Sequence, residues 1–459
     1  VEMPRRYGED ERAQYEDAVR KLGRTIELPM EALTGSEGLS HWCVDDATQV
    51  LTVNGWRSHD EIGVGTEVLT LNHETGLSEW QPILDVYRAD VVDENMVVIT
   101  GASHSSLTTP NHRWPIIKQR GGKGHRRRLR EWTTTDGLSA TADLITAAPS
   151  ADLPAEPKYS DAFVELVGWF WTEGTAGERD GRRNPRVSIV QSHQVNEDNC
   201  VRIRRALSSL FGPPSASMAE DGGWPRGSAH HSSKLTAADV GEIRTRLNDG
   251  ERGAALAREF NVSDPAISAI KHGRSWGRGD ADGVPRWAER SRDGGMSVFS
   301  LNVAAAEELL SVVPDPEKIV SHDFIRQLTP AQLTLFIDTS IRADGHCSAS
   351  GQMTITQKSR ARLEALELAC VLAGHSVRTY EQEGIGFGPR RLWCLSIKRR
   401  TVFGPMPKHT TTTTYTGIIW CPVTANDSWF ARRNGTAYYT GNTPWTIDEQ
   451  KYRAYIEPL

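Results

Sequence analysis

The sequence predicts a multidomain protein in which an all-β domain is split by a large mixed α/β insertion, itself split by a small helical one. Three observations predict this. Short β-rich runs separated by Gly, Asn and Asp turns fill residues 43–150 and return after 411. Between them, one pattern occurs twice: a helix, an acid followed by Gly, a strand carrying Gln, then a second helix. The acids Glu173 and Asp344 stand 171 positions apart and Gln191 and Gln357 stand 166 apart, so the copies keep nearly one offset. Inside the first copy, residues 233–278 change to short helical stripes.

Composition narrows the function classes. At 459 residues the chain has room for about three domains. A net charge of −6 excludes a globally basic DNA-coating protein, while 38% hydrophobic residues suffice for packed domains. No run approaches the length of a membrane-spanning helix, and the N-terminus has no secretory pattern. The six cysteines (43, 200, 347, 370, 394 and 421) form no C-x-x-C pair. This argues against a zinc ribbon or disulfide scaffold and for a reducing, cytoplasmic setting. The first residue is Val, so the true start is expected to lie upstream.

The elements follow in order. Residues 9–24 read as a charged helix ending near Gly23. VLTVNGWRSHDEI, TEVLTLN, WQPILDVYRAD and NMVVITG read as a β-meander. The basic stretch 118–130, with Lys118, Arg120, Arg126, Arg127, Arg128 and Arg130, reads as a loop able to reach DNA, and 149–161 as a linker. LVGWFWTEGT and FIDTSIRADGH open the two repeats. In the helical insertion, Val240, Ile243 and Leu247 form one apolar stripe, Leu256 and Phe260 a second, and Ile267 and Ile270 a third. Ser263 is expected as an N-cap. TTTTYTGIIWCPV then returns the chain to β texture.

Four clusters carry chemistry in the split β domain. Cys43 opens it, with Thr48 and Val50 following; TTPNHRW supplies Thr109, His112 and Trp114; IIWCPV supplies Cys421; TAYYTGNT ends in Thr440, Asn442 and Thr443. In this order they resemble an intein, a self-splicing insert, over about 43–442. The resemblance implies an all-β Hint (horseshoe) fold that needs no cofactor and acts on its own flanks. A thiol exchanges a peptide bond for a thioester, and Thr109 and His112 polarise the scissile carbonyl and protonate the departing nitrogen. The acyl group passes to Thr443, Asn442 cyclises, and Trp42 is joined to Thr443. Trp114, Cys421 and Thr440 match the set that marks class 3 inteins, in which the internal Cys attacks first. Cys43 is itself a nucleophile, so either thiol can start. The family's His before the terminal Asn is replaced by Gly441.

The repeat openings resemble the LAGLIDADG (DOD-type) motif of homing endonucleases. The resemblance implies two helices packed through small residues such as Gly168, with Glu173 and Asp344 at their ends holding Mg²⁺ for phosphodiester hydrolysis. It places Lys358 as the assisting base, with His193 at that position in the first copy. Thr339 and Arg342 depart from the pattern in the second motif. The expected partner is double-stranded DNA at the uninterrupted host site, cut by a monomer, with no membrane partner. The 233–278 insertion resembles a helix-turn-helix, with Ser263, Lys271 and Arg274 toward DNA.

The expected division is 1–42 flank, 43–150 and 411–442 splicing domain, 158–232 and 279–410 endonuclease, 233–278 helical insert, and 443–459 flank. Joining the flanks gives 59 residues, marginal for a domain, so a longer host is expected. Their text resembles portal proteins of actinobacterial phages. Two other readings compete: a nuclease or DNA-binding regulator that does not splice, and a splicing insert whose endonuclease has decayed.

Overall fold

The computed structural model describes residues 42–120, 127–179, 182–214, 235–271, 285–314, 317–383 and 391–442. The expected helix 9–24, both flanks except Trp42, and the site residues Arg126, Arg274 and Thr443 lie outside the described residues. The structure is sheet-rich with several separate sheets and a set of helices. Two compact units form, one from 1–152, 374–378 and 399–459, the other from 153–373 and 379–398. The first takes up the chain again at 399, before the change in texture at 411, because Val402–Phe403 pairs with Ala142–Ile145. The threonine run that follows is exposed and gives no hydrophobic signal in the sequence.

The first unit is β throughout. Its spine is a two-stranded ribbon, Asp85–Gly101 against Thr410–Val423, antiparallel from Thr410↔Ile99 to Val423↔Asp85 with a bulge between Tyr415 and Gly417. Val44–Asp45 and His104–Thr108 close this ribbon into a small barrel. Glu67–Asn72 and Ser428–Arg433 flank Gln49–Thr52 in another sheet, and Ser428–Arg433 pairs with Thr436–Gly441. That last hairpin turns on Asn434 and Gly435, both at positive φ (48° and 75°). Asn-Gly takes these angles at little cost, and the resulting two-residue turn matches the strand twist. Trp114, Trp420, Trp429 and Tyr438 fill the core with Val44, Val50 and Ile116.

One expectation is corrected here. The basic stretch 118–130 is not a loop from end to end, because Arg113–Arg120 pairs with Arg127–Thr134 in register, Arg120 opposite Arg127. Charged side chains hid the alternation; Lys118 and Arg120 both reach Glu131, at 3.8 and 2.8 Å.

The second unit contains the two motif helices, Asp161–Glu173 and Pro330–Asp344. Ser160 caps the first by accepting the Phe163 N–H, and Thr329 with Gln332 forms a capping box on the second. The helices meet where Gly168 faces Thr339: a Cβ on Gly168 would lie 2.8 Å from the Thr339 methyl. A glycine on one side thus makes room for a β-branched residue on the other. The Trp171 indole donates to Ser340 Oγ at 2.9 Å across the same seam. Each helix turns at once into a strand, at Gly174 and Gly345, where any side chain would strike the last helical turn.

The helical insertion folds as Ala237–Asn248, Gly253–Glu259 and Asp264–Lys271. Val240, Ile243, Leu256, Ile267 and Ile270 form its core. Arg246 ties the first two helices by pairing with Glu242, Glu251 and Glu259.

Candidate functional site

In the first unit the functional side chains converge on the peptide bond between Trp42 and Cys43. The Cys43 N–H donates to Thr109 Oγ1 at 3.1 Å, and the Thr109 N–H donates back to the Cys43 carbonyl at 3.1 Å. The sequence Thr-Pro-Asn-His explains the local geometry. Pro110 favours the second position of a β-turn, and the His112 N–H closes that turn on the Thr109 carbonyl at 3.1 Å. Thr109 and His112 therefore face one point from three residues apart.

His112 is wholly buried. Burial drives its pKa down to about 3, against an opposing pull from the backbone groups of Trp42 and Cys43 beside the ring. Its Nε2 is hydrogen-bonded to Thr440 Oγ1. Trp114 stands edge-on to the ring with centroids 4.8 Å apart, its indole donating to Thr135 Oγ1 at 3.0 Å. Thr135 in turn holds the His112 carbonyl through its N–H at 2.9 Å.

Cys43 and Cys421 share one buried apolar cluster with Met96, Leu107 and Ile419. The register sets Val44 opposite Trp420, so the two cysteines are neighbours across adjacent strands. Burial raises the Cys43 thiol well above its ordinary pKa, and negative charge on Cys421 raises it further. The entry of this strand is fixed by Asp45, which accepts the Arg433 guanidinium at 2.9 Å and the Thr48 hydroxyl at 2.6 Å.

At the other end of the unit, Asn442 is fully buried, and its N–H donates to the Asp427 carbonyl at 3.1 Å. Its carboxamide has no hydrogen-bond partner among the described residues. Gly441 is pressed against Arg113: a Cβ there would lie 2.6 Å from the Arg113 carbonyl oxygen. A side chain at 441 would have to displace the Arg113 backbone.

In the second unit, Glu173 and Asp344 come together at the ends of the motif helices. Burial raises both pKa values. Glu173 is also raised by the charge of Asp344 and reaches about 7, with Lys318 opposing. Asp344 accepts from Gln357 and faces the positive charges of Arg362 and Lys318. Arg362 donates to the Trp171 carbonyl at 2.6 Å, and Lys318 to that of Gly174. Among the described residues no group of three or more His, Cys, Asp or Glu forms a metal cage. Two carboxylates forced together with hard oxygens suit a divalent ion that completes its shell with water and substrate phosphate.

Lys358 is exposed and makes no hydrogen bond or ion pair with either carboxylate. His193 instead meets Ser297 Oγ at 3.3 Å. Sequence reasoning missed Lys318 and Arg362 as neighbours of the acids. Lys318 lies in an aperiodic connection, whereas Arg362 follows the strand carrying Gln357 closely enough to have been found.

Ser263 occupies the N-cap position of the third insert helix, its carbonyl accepting the Ile267 N–H at 3.2 Å, and Lys271 ends that helix exposed. Arg127 and Arg128 are exposed at the end of their strand.

No family model matches the chain, and no curated protein matches it. Among solved structures, a bacterial intein-like domain from Clostridium thermocellum is similar at 18% identity, covering 23% of this chain and 67% of its own, with a TM-score of 0.18. A class 3 split intein, in a GSH-linked splice-inactive form, matches at 19% identity over 24% of this chain and 66% of its own, TM-score 0.18. The homing endonuclease I-DmoI, in complex with DNA and Mn, matches at 12% identity over 52% of this chain and 89% of its own, TM-score 0.25. At these TM-scores the residues themselves, and not the likenesses, have to support a function.

Proposed function

We propose that this chain is a splicing precursor: residues 43–442 form an intein that excises itself and joins Trp42 to Thr443, and the second unit is a LAGLIDADG-type homing endonuclease. The observation that carries the splicing reading is Thr109 accepting the N–H of Cys43, with His112 against the same peptide and a second thiol alongside. Cys421 is the initiating nucleophile in this reading, as the internal thiol set beside Cys43 across adjacent strands.

The Cys421 sulfur attacks the Trp42 carbonyl carbon, and the bond to the Cys43 nitrogen breaks. The thiol proton passes by way of the neutral His112 to that nitrogen. Thr109 holds the nitrogen's N–H. The acyl group then moves to the Thr443 hydroxyl. The Asn442 Nδ2 attacks its own carbonyl carbon, losing one proton while the Thr443 nitrogen gains one. An O-to-N shift restores the peptide bond. Each step is intramolecular within one cavity, the source of its rate.

In the second unit Glu173 and Asp344 would hold Mg²⁺, which supplies Lewis acidity at a phosphodiester when bound. Lys318 and Arg362 counter the acids' charge, and Gln357 orients Asp344. The insert helices form a helix-turn-helix that places Ser263, Lys271 and Arg274 on double-stranded DNA, and the arm ending in Arg126, Arg127 and Arg128 adds phosphate contacts. The enzyme acts as a monomer in the cytoplasm, and the flanks belong to a phage portal protein. No helix among the described residues is long and apolar enough to cross a membrane.

Intact-mass analysis of freshly expressed protein tests the reading. An excised species of about 400 residues and a ligated flank support it. A chain that stays whole at both junctions yet cuts DNA with Mg²⁺ supports the competing non-splicing nuclease.

A further inference from the structure

The strand residue that follows His112 lies beside Trp42 and against Gly441. The Arg113 guanidinium lies over the Trp132 ring at 4.0 Å from its centroid and over the Trp42 ring at 5.4 Å. Register explains the first contact. Arg113 pairs with Thr134, so Trp132 is its diagonal neighbour on the same face of the ribbon. Trp132 is packed from another side by His73, centroids 4.8 Å apart, which holds the indole in place. Arg113 also reaches Asp427 at 3.7 Å, so its plane is oriented by an ion pair and by an aromatic ring together. Its side chain is only 18% exposed, so the guanidinium face toward Trp42 is largely shielded from water.

Trp42 is the residue whose carbonyl is transferred, and nothing in the splicing chemistry itself needs an aromatic side chain there. We infer that Arg113, braced on Trp132 and Asp427, is a specificity-determining residue that reads the side chain immediately before Cys43 and favours a flat aromatic group. This rests on the splicing reading above. A guanidinium stacks on an aromatic face in a way that an aliphatic side chain of similar volume cannot reproduce. The contact holds Trp42 in place and, through the backbone, aims its carbonyl at the attacking thiol.

The test is a double-mutant cycle on the rate of N-terminal junction cleavage, read by intact mass after adding dithiothreitol to full-length precursor. Trp42→Ala slows cleavage about two- to fivefold in the Arg113 protein and leaves the rate unchanged in the Arg113→Gln background. Trp42→Phe stays close to the parent, and Trp42→Leu behaves like Trp42→Ala. Equal slowing by Trp42→Ala in both backgrounds overturns the assignment, because a structural Arg113 would scale every residue alike. If Arg113→Gln does not fold, Arg113→Lys keeps the charge but loses the plane, and the aromatic preference shrinks. A preference that instead follows side-chain volume, with Leu equal to Phe, also overturns it. Absence of cleavage in the unsubstituted protein is a different result, and removes the splicing reading on which this depends.

Discussion

Thr109 Oγ1 accepts the backbone N–H of Cys43 at 3.1 Å, so a side chain holds the amide that the proposed splicing would break. Removing that acceptor leaves a buried N–H without its partner. Thr109→Val keeps the shape and loses the bond, and N-terminal cleavage is expected to fall about 10- to 100-fold, the cost of one such donor or acceptor. Timed intact-mass spectra check this. A rate unchanged from the parent would show that the contact is structural.

The neighbouring thiols make opposite predictions. Cys421→Ala is expected to abolish N-terminal cleavage, whereas Cys43→Ala keeps it, if the attacking thiol is the one across the strand pair from Cys43. The reverse pattern assigns the start to Cys43. Trapping with hydroxylamine, followed by peptide mapping, separates the two.

Opposite pH dependences are expected of the two units. His104 and His112 are wholly buried, and burial lowers each pKa to about 3 from an ordinary 6.5. The unfolded chain binds protons first, so stability of the β unit is full above 6.5 and is lost as pH falls toward 3. The slope is up to about 1.4 kcal/mol per histidine per pH unit. Glu173 runs the other way: raised to about 7 from 4.5, it contributes stability that is full below 4.5 and is lost as pH rises through 7. Proteolysis of the full chain in urea, mapped by peptide across this range, distinguishes the units. The same sign for both would contradict the assignment.

Glu173→Gln or Asp344→Asn is expected to remove DNA cleavage and leave splicing untouched, since the two carboxylates belong to the second unit. Mg²⁺ is expected to raise the thermal midpoint of the parent by binding only the folded form, and to leave that of Glu173→Gln nearly unmoved. Differential scanning fluorimetry with a parallel splicing assay reads both effects. Loss of splicing in either variant would speak against separable functions.

What the sequence made legible differs by residue. Cys43, Thr109, His112, Cys421 and Asn442 were named on their resemblance to intein motifs, and the fold gathers the first four of them near one peptide bond. The β texture was visible because turns such as Asn434-Gly435 punctuate alternating runs. The pairing within 118–130 was hidden because its alternation is carried by charged residues. Lys318 and Arg113 gave no signal because their partners, Glu173 and Trp42, are brought to them only by tertiary folding. How tightly Gly441 is packed left no sign in the sequence, because the Arg113 carbonyl reaches it only in the folded sheet.

That close approach gives a further prediction. Gly441→Ala is expected to destabilise the β unit by about 1–3 kcal/mol, the usual cost of overpacking, and Gly441→His is expected not to speed release at Asn442. Rates of C-terminal cleavage decide. A faster histidine variant would show that the strand yields.

The long ribbon joins residues 85–101 to residues 410–423, near opposite ends of the segment proposed to be excised. A ribosome has therefore exposed the first cysteine long before it makes the strand bearing the second. The cluster around Cys43 stays incomplete until Thr410–Val423 has been made. If the proposed splicing holds with Cys421 as attacker, chain order acts as a clock: the emerging polypeptide stays inert through nearly all of its synthesis, and rupture at Trp42 waits for the attacker without any separate inhibitor.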